Sequence, residues 1–401
     1  MPAAVASRTK GKGRVAARLG RADSSPLGLW FWEIDRVLLL LFTVLISVGL
    51  IAVAAAAPAA AARYSGGDII VSPLAYFWKQ LMWVSIGVPV MLVISMMPQL
   101  LLRRWALGAA AFFSVFLALV PLIGFEKNGA TRWIGVGIGQ FQPSEFLKPC
   151  FVVALAWILS LKSHDRALPV VPITGLLTGI VAMLLMMQPD FGQTIVYCCV
   201  WMALVMIAGL SFRIVSMLGA GGFVGIVAAY FFYPVARTRI DNFLFASGDT
   251  YQVDQARATI TAGGLWGTGP GGGERKFHLP EAHTDYIFSV VGEEFGLLAC
   301  VAIATIFIAI MVRVFVKLLD EEDGFLVLAS AGLVTQLIIQ AFINMAVNVG
   351  LAPSKGMTLP FISYGGSSMI ALCAGFGMLL AFTRKNPYLL RSPYVVKWNA
   401  R

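Results

Sequence analysis

Glu281, His283 and Asp285 stand close together at the end of a polar segment, directly ahead of a long apolar run that begins Ile287-Phe288-Ser289. Carboxylates and an imidazole exchange protons and bind polar ligands, and gathering them where water meets a bilayer is costly unless they are used. The competing use of Asp285 is to cap the helix that follows. Counting from Asp285, Ser289 lies one helical turn on and Glu293 two turns on, so a polar stripe would run from the surface into the apolar layer. Glu293 is accordingly a second-tier site residue.

A second group lies upstream: Arg132, Gln140, Gln142, Glu145 and Lys148. Pro143 and Ser144 make a good helix start, which puts Glu145 and Lys148 on one helical face. The pair reads either as an interfacial ion pair that anchors the helix or, in the company of Arg132 and Gln142, as part of a binding site. Asp190, in Gln188-Pro-Asp-Phe-Gly-Gln193, is a helix cap in its more ordinary use and a second-tier site residue otherwise. The stretch from Gly263 to Gly273 holds seven glycines and is followed by Glu274, Arg275, Lys276 and His278. Its backbone amides and neighbouring cations suit a phosphate, or the stretch is a flexible hinge. No Gly-Lys-Ser/Thr follows, so it is not a P-loop. Gln336, Gln340, Asn344 and Asn348, each four apart, form a stripe that reads as interhelical hydrogen bonding or as a translocation path. Lys355 is a candidate anion contact at the mouth of the last apolar segment, where Ser363, Gly365, Gly366 and Ser367 allow a substrate to come close.

The elements that must position these residues are membrane helices. The 401 residues are 59% hydrophobic and 12% charged, with a mean hydropathy of +0.82, which excludes a soluble globular protein. A span needs roughly 20 apolar residues, and such segments centre on 37–57, 80–97, 105–124, 146–161, 169–187, 193–210, 213–234, 287–316, 325–348 and 359–382. The expected fold is therefore all-α and polytopic, with about ten transmembrane helices. Residues 1–36 read as a disordered basic tail, 37–384 as the membrane domain with a large exterior loop at 235–286, and 385–401 as a second tail. Most of the 30 Lys and Arg fall in the tails and in loops on the same side, which places both termini in the cytoplasm. The net charge of +10 then reflects topology and anionic lipid, not nucleic acid. Cys150, Cys198, Cys199, Cys300 and Cys373 lie inside apolar segments without metal-ligand spacing, so neither disulfide nor zinc is inferred.

Arg132-Trp133, Phe141-Gln-Pro-Ser-Glu145 with Lys148, Gln188-Pro-Asp190, Leu279-Pro-Glu-Ala-His-Thr-Asp285, Gly292-Glu-Glu294 and Thr358-Leu-Pro-Phe-Ile-Ser-Tyr-Gly-Gly-Ser-Ser368 occur in this order over nearly the whole chain. Together they resemble the signatures of the SEDS proteins of bacterial shape, elongation, division and sporulation. The Pro-Glu-Ala-His-Thr-Asp wording and the basic N-terminal tail look more like the division branch than the elongation branch. The resemblance implies a ten-span peptidoglycan glycosyltransferase of the inner membrane, acting at the division septum and polymerising lipid II on the periplasmic face. It implies that Asp285 is the base, that Arg132, Lys148 and Lys355 neutralise pyrophosphate, and that Glu145 orients Lys148. Glu281, His283, Gln142 and the Ser363 to Ser367 segment complete the implied substrate site. Implied partners are a class B penicillin-binding protein and other division-complex membrane proteins, and a divalent cation, Mg2+ or Mn2+, is an open possibility for assisting the pyrophosphate. A lipid II flippase and a transpeptidase scaffold are the rival readings.

Overall fold

The computed structural model describes residues 26–65, 70–127, 130–135, 139–163, 165, 167–209, 211–245, 251–354 and 356–384. The expected tails, for residues 1–25 and 385–401, and Lys355 lie outside the described residues. In hydrocarbon a backbone must satisfy its own amides and carbonyls, so apolar segments of this length become helices. Among the described residues, eight helices are long and apolar enough to cross a membrane. Two shorter apolar ones, Phe191–Ile207 and Gly366–Phe382, fall where the sixth and tenth spans are expected.

In chain order the helices are α1 (Pro26–Glu33), α2 (Arg36–Tyr64), α3 (Ala75–Met96), α4 (Gln99–Ile123), α5 (Pro143–Ser160), α6 (Val170–Met187), α7 (Phe191–Ile207), α8 (Phe212–Phe232), α9 (Pro234–Phe245), α10 (Tyr251–Ala262), α11 (Ile287–Leu318), α12 (Gly324–Asn348) and α13 (Gly366–Phe382). The most buried spans are α5 and α12, while the described residues of α8 stay on the outside of the bundle. Helix α5 packs on α4 and α12, and α13 packs on α3. At one end of the bundle Asp35 caps α2 by accepting from the amides of Val37 and Leu38 at 2.9 and 3.1 Å. Its other oxygen pairs with Arg313 and Lys317 of α11 at 2.9 and 3.0 Å, so one carboxylate both starts a helix and ties it to a neighbour.

Four features differ from the sequence reading. Residues 26–33, expected in the tail, form α1, and Trp30 donates from its indole to Ser95 of α3 at 2.9 Å. The loop before α5 holds an antiparallel hairpin, β1 (Phe125–Lys127) with β2 (Ala130–Trp133). The last span starts at Gly366 and not at 359, because residues 359–365 turn: the Leu359 carbonyl accepts from Ile362 and Ser363, and Phe361 takes φ 64.

The fourth difference concerns the glycine-rich stretch, which is neither a phosphate cradle nor a free hinge. Helix α11 is interrupted at Gly296 (φ 78), and the amides of Leu297 and Leu298 donate to the carbonyls of Gly264 and Leu265 at 2.9 and 3.4 Å. In return, the Glu293 and Glu294 carbonyls accept from Thr268 and Gly269 at 2.9 and 3.0 Å. Gly263 and Gly267 approach this backbone so closely that a Cβ on either would collide with it. The acidic side chains are engaged as well: Glu294 accepts from the Gly271 amide at 3.0 Å, and Glu293 from the Arg275 and Lys276 amides at 2.7 and 3.0 Å. The Lys276 ammonium pairs with Glu294 and donates to the Ala55 carbonyl of α2 at 3.0 Å. Glu293, a second-tier site residue from the sequence, therefore anchors a loop and does not line the cleft described below.

Candidate active site

A cleft of about 660 Å³ opens where the ends of α2, α3, α5, α7 and α13 meet β2, α9 and the segment leading into α11. Asp285 lines it. Its backbone carbonyl is held by the Asn344 and Asn348 side-chain amides of α12, at 2.8 and 3.0 Å. Asn344 also donates to the Met357 carbonyl at 2.7 Å, and Asn348 accepts from the Ser289 amide and hydroxyl at 3.0 and 2.8 Å. Two members of the α12 stripe, Asn344 and Asn348, thus fix the backbone at Asp285. Gly356 lies beside the carboxyl, where a Cβ would meet Asp285 Oδ2 in van der Waals contact at 3.4 Å. The helix-cap alternative for Asp285 loses its basis, because α11 starts from Tyr286 with no side-chain cap.

Asp285 is half-buried, and its pKa is pushed up to about 7. Loss of water around the carboxylate is the main cause and the charge of Glu281 adds to it, while Arg132 and Arg239 pull the other way. A carboxyl at that value is poised to take up and release a proton near neutral pH.

Arg132, on β2, faces the same cleft. Its guanidinium is oriented by the Gln188 carbonyl at 3.2 Å, by the Pro189 carbonyl, and by Asp190 at 3.7 Å. Asp190 itself caps α7, accepting from the Gln193 amide at 3.4 Å, and it holds Gln142 at 3.2 Å. Burial raises the Asp190 pKa and Arg132 opposes the rise. Asp190 does not line the cleft; it positions two groups that do. Arg239 of α9, which the sequence reading counted only as loop charge, is the second arginine in the lining. Burial and the nearby Arg132 lower its pKa, against the carboxylates of Asp190 and Asp285. Two guanidiniums kept near each other form a natural seat for an anion.

Lys148 does not reach the cleft lining. It is 2% exposed, pairs with Glu145 at 2.8 Å and donates to Gln340 Oε1 of α12 at 2.9 Å. Glu145 accepts in addition from Gln193 at 2.6 Å, and Gln340 donates to the Thr358 carbonyl at 3.2 Å. A buried pair this well satisfied is architecture, since turning the ammonium toward a phosphate would strand Glu145. Lys148, expected at the phosphate, thus lies outside the cleft lining, while Glu145 and Gln142 lie on the cleft wall.

Glu281, at φ 51, accepts from the Tyr64 hydroxyl at 3.0 Å and from Thr284 Oγ1 at 2.8 Å. His283 lies against Tyr76 and Tyr364, with ring centroids 4.3 and 5.4 Å away. Gly365 and Gly366 line the cleft, as expected. Ser363 does not, because its hydroxyl donates to the Thr284 carbonyl at 2.6 Å and accepts from the Leu359 amide at 2.7 Å, stapling two segments. Ser367 is buried beside the lining, and Ser368 takes the place expected of it. Besides Arg239, the sequence reading missed Lys79, Tyr64 and Tyr76, which lie on or beside apolar segments without a chemical motif, while Tyr364 stands inside the Thr358 to Ser368 signature without having been singled out. Among the described residues, no three of His, Cys, Asp and Glu come together as metal ligands.

Residues 35–388 match the profile of the Cell cycle protein family of FtsW, RodA and SpoVE. The protein of Caulobacter vibrioides named probable peptidoglycan glycosyltransferase FtsW is 39% identical over 372 residues, covering 92% of this chain and 93% of that one. Stage V sporulation protein E of Bacillus subtilis is 33% identical, over 88% of this chain and 98% of its own. Among solved structures, a chain of a peptidoglycan synthase complex that coordinates polymerization and crosslinking gives a TM-score of 0.71 at 27% identity, over 87% of this chain and 97% of that one. The Rod shape determining protein RodA of Thermus thermophilus gives 0.63 at 28%, over 87% and 96%. With motifs, helix order and sequence agreeing over almost the whole membrane domain, the chain belongs to the SEDS family of cell cycle proteins and is FtsW-like.

Proposed function

We propose that this chain is an FtsW-like peptidoglycan glycosyltransferase of the bacterial inner membrane, polymerising lipid II for the division septum. The observation that carries the reading is one half-buried carboxyl, Asp285, opening into a cleft that also receives Arg132 and Arg239. In the reaction, the 4-hydroxyl of one disaccharide attacks the anomeric carbon of the MurNAc on another. Asp285 takes the hydroxyl proton as the new glycosidic bond forms, and the bond to undecaprenyl pyrophosphate breaks with its electron pair leaving on the phosphate oxygen. Arg132 and Arg239 hold that developing charge in place, which fixed cations in a dehydrated cleft do at little reorganisation cost. Pyrophosphate leaves with little protonation, so a second acid is not required.

The cleft faces the periplasm if both termini are cytoplasmic, as the charge distribution indicates. Engagement of Gln340, Asn344 and Asn348 in hydrogen bonds to α5, α11 and the segments beside them removes much of the polar track that a flippase would need. A transpeptidase of the class B penicillin-binding type is the partner we propose, alongside other division-complex proteins. The test is to purify the full chain with and without its cognate transpeptidase and follow glycan formation from lipid II in proteoliposomes. Polymer and released undecaprenyl pyrophosphate are expected. Transfer of lipid II between leaflets with no polymer under either condition would overturn the proposal in favour of a flippase.

A further inference from the structure

The polymerisation chemistry needs two saccharides in one cleft, a donor that keeps its pyrophosphate beside the reacting carbon and an acceptor that presents only a hydroxyl there. Two groups in the cleft lining suit these two tasks, and Trp133 and Tyr286 line it as well. Arg132 and Arg239 come from β2 and α9, whereas Tyr64, Tyr76, Lys79 and Tyr364 come from the end of α2, the start of α3 and the turn before α13.

The second set is aromatic. Tyr76 and Tyr364 meet edge to face at 5.3 Å, and Tyr64 lies 6.1 Å from Tyr76. Tyrosines at a membrane interface often serve only as outward anchors. These converge instead on the cleft that holds Asp285. Beside them Glu281 accepts from Tyr64 and Thr284, presenting a carboxylate on the same backbone turn as Asp285. Ring faces next to a carboxylate suit a pyranose, which has an apolar C–H face and a rim of hydroxyl donors. Lys79, exposed and 5.4 Å from the Tyr76 ring, adds a cation at the edge of this wall.

Resting on the glycosyltransferase reading above, we infer that the wall of Tyr64, Tyr76, Tyr364 and Glu281 is the acceptor subsite. It binds the N-acetylated disaccharide whose 4-hydroxyl faces Asp285, with Lys79 balancing the acceptor's own pyrophosphate. Arg132 and Arg239 then belong to the donor.

Two arms test this with the full chain in detergent micelles or proteoliposomes. In the first, saturation-transfer NMR follows binding of the lipid-free GlcNAc–MurNAc disaccharide, a readout that does not depend on turnover. Binding is expected to persist in Asp285→Asn and in Tyr76→Phe, which keeps the ring, and to be lost in Tyr76→Leu/Tyr364→Leu. Equal binding by the double leucine variant, or no binding by the parent, overturns the subsite whether or not the chain polymerises lipid II. The second arm is kinetic. In Tyr76→Leu the KM for lipid II should rise about five-fold or more, with kcat and inhibition by undecaprenyl pyrophosphate nearly unchanged. Arg239→Ala should weaken that inhibition instead. A Tyr76→Leu enzyme with the pyrophosphate defect and an unchanged KM would place the rings with the donor and contradict the assignment. Failure of the parent to make polymer, with disaccharide binding intact, would count against the reaction and not against the sugar site.

Discussion

The docked glycine loop and the cleft contain the same kinds of residue and put them to opposite uses. At the loop, Glu293, Glu294 and Lys276 are buried, and amides, a carbonyl and each other take up their polar atoms. In the cleft, Asp285 is fixed through its backbone while its carboxyl opens onto a 660 Å³ space shared with two arginines. The difference teaches that charge alone does not mark a site in a membrane protein. What marks it is whether the protein has already satisfied the charge. The Lys148–Glu145 pair falls on the loop's side of this division, whereas Arg132, although oriented by two carbonyls and Asp190, still faces the cleft.

The largest effects should come from breaking satisfied pairs. Removing one partner of a buried pair costs about 3–5 kcal/mol. Lys276→Ala and Lys148→Ala are therefore expected to lower the thermal midpoint of the purified protein well before any effect specific to turnover. For Lys148 the contrast can be sharpened with Lys148→Met/Glu145→Gln, which removes both charges and should recover most of the midpoint and of the activity. A double variant that folds like the parent and makes no polymer would return Lys148 to the phosphate site. Next in size are Arg132→Ala and Arg239→Ala. Each removes a charge-assisted contact worth about 1.5–3 kcal/mol, so glycan synthesis should slow by roughly 10- to 150-fold, while the midpoint changes little in Arg239→Ala and falls in Arg132→Ala by less than in the lysine variants, because Asp190 then loses its cation. An equal loss of midpoint in these variants would erase the distinction between the two regions.

Smaller still is a shift in pH dependence. A base must be ionised, so the rate should climb as pH rises through about 7 and level off above it. Arg239 lowers the Asp285 pKa, so Arg239→Ala should move the climb to higher pH, whatever it does to the maximum. A rate profile that is flat between pH 6 and 8 would speak against an ionising base in this range.

The bundle was legible because hydropathy is local: each run of about 20 apolar residues announces a span without knowledge of its neighbours. Asp285, Arg132 and Asp190 were legible for a related reason, being charges on the edges of such runs. The fate of Lys148 was not, because Gln340 and Gln193, which complete its pair, come from α12 and α7. Nor was docking of the glycine stretch, which requires the interruption of α11 at Gly296 and a close backbone approach that composition alone reads as flexibility. Arg239, Tyr64 and Tyr76 were missed because their significance lies in which cavity they line. Neither periodicity nor spacing encodes that.

The central claim is that the open carboxyl does the chemistry, and Asp285→Asn addresses it most directly. Asparagine keeps the size and cannot accept the proton, so polymerisation of lipid II by the full chain with its partner should fall about 100-fold or more. Stability supplies the control. Because the folded-state pKa of Asp285 lies above its ordinary value of 3.8, ionisation weakens the fold as pH rises from about 4 to about 7. The asparagine variant should therefore be at least as stable as the parent at pH 8. A variant that is this stable and makes almost no glycan supports Asp285 as the base. One that polymerises lipid II near the parental rate contradicts it.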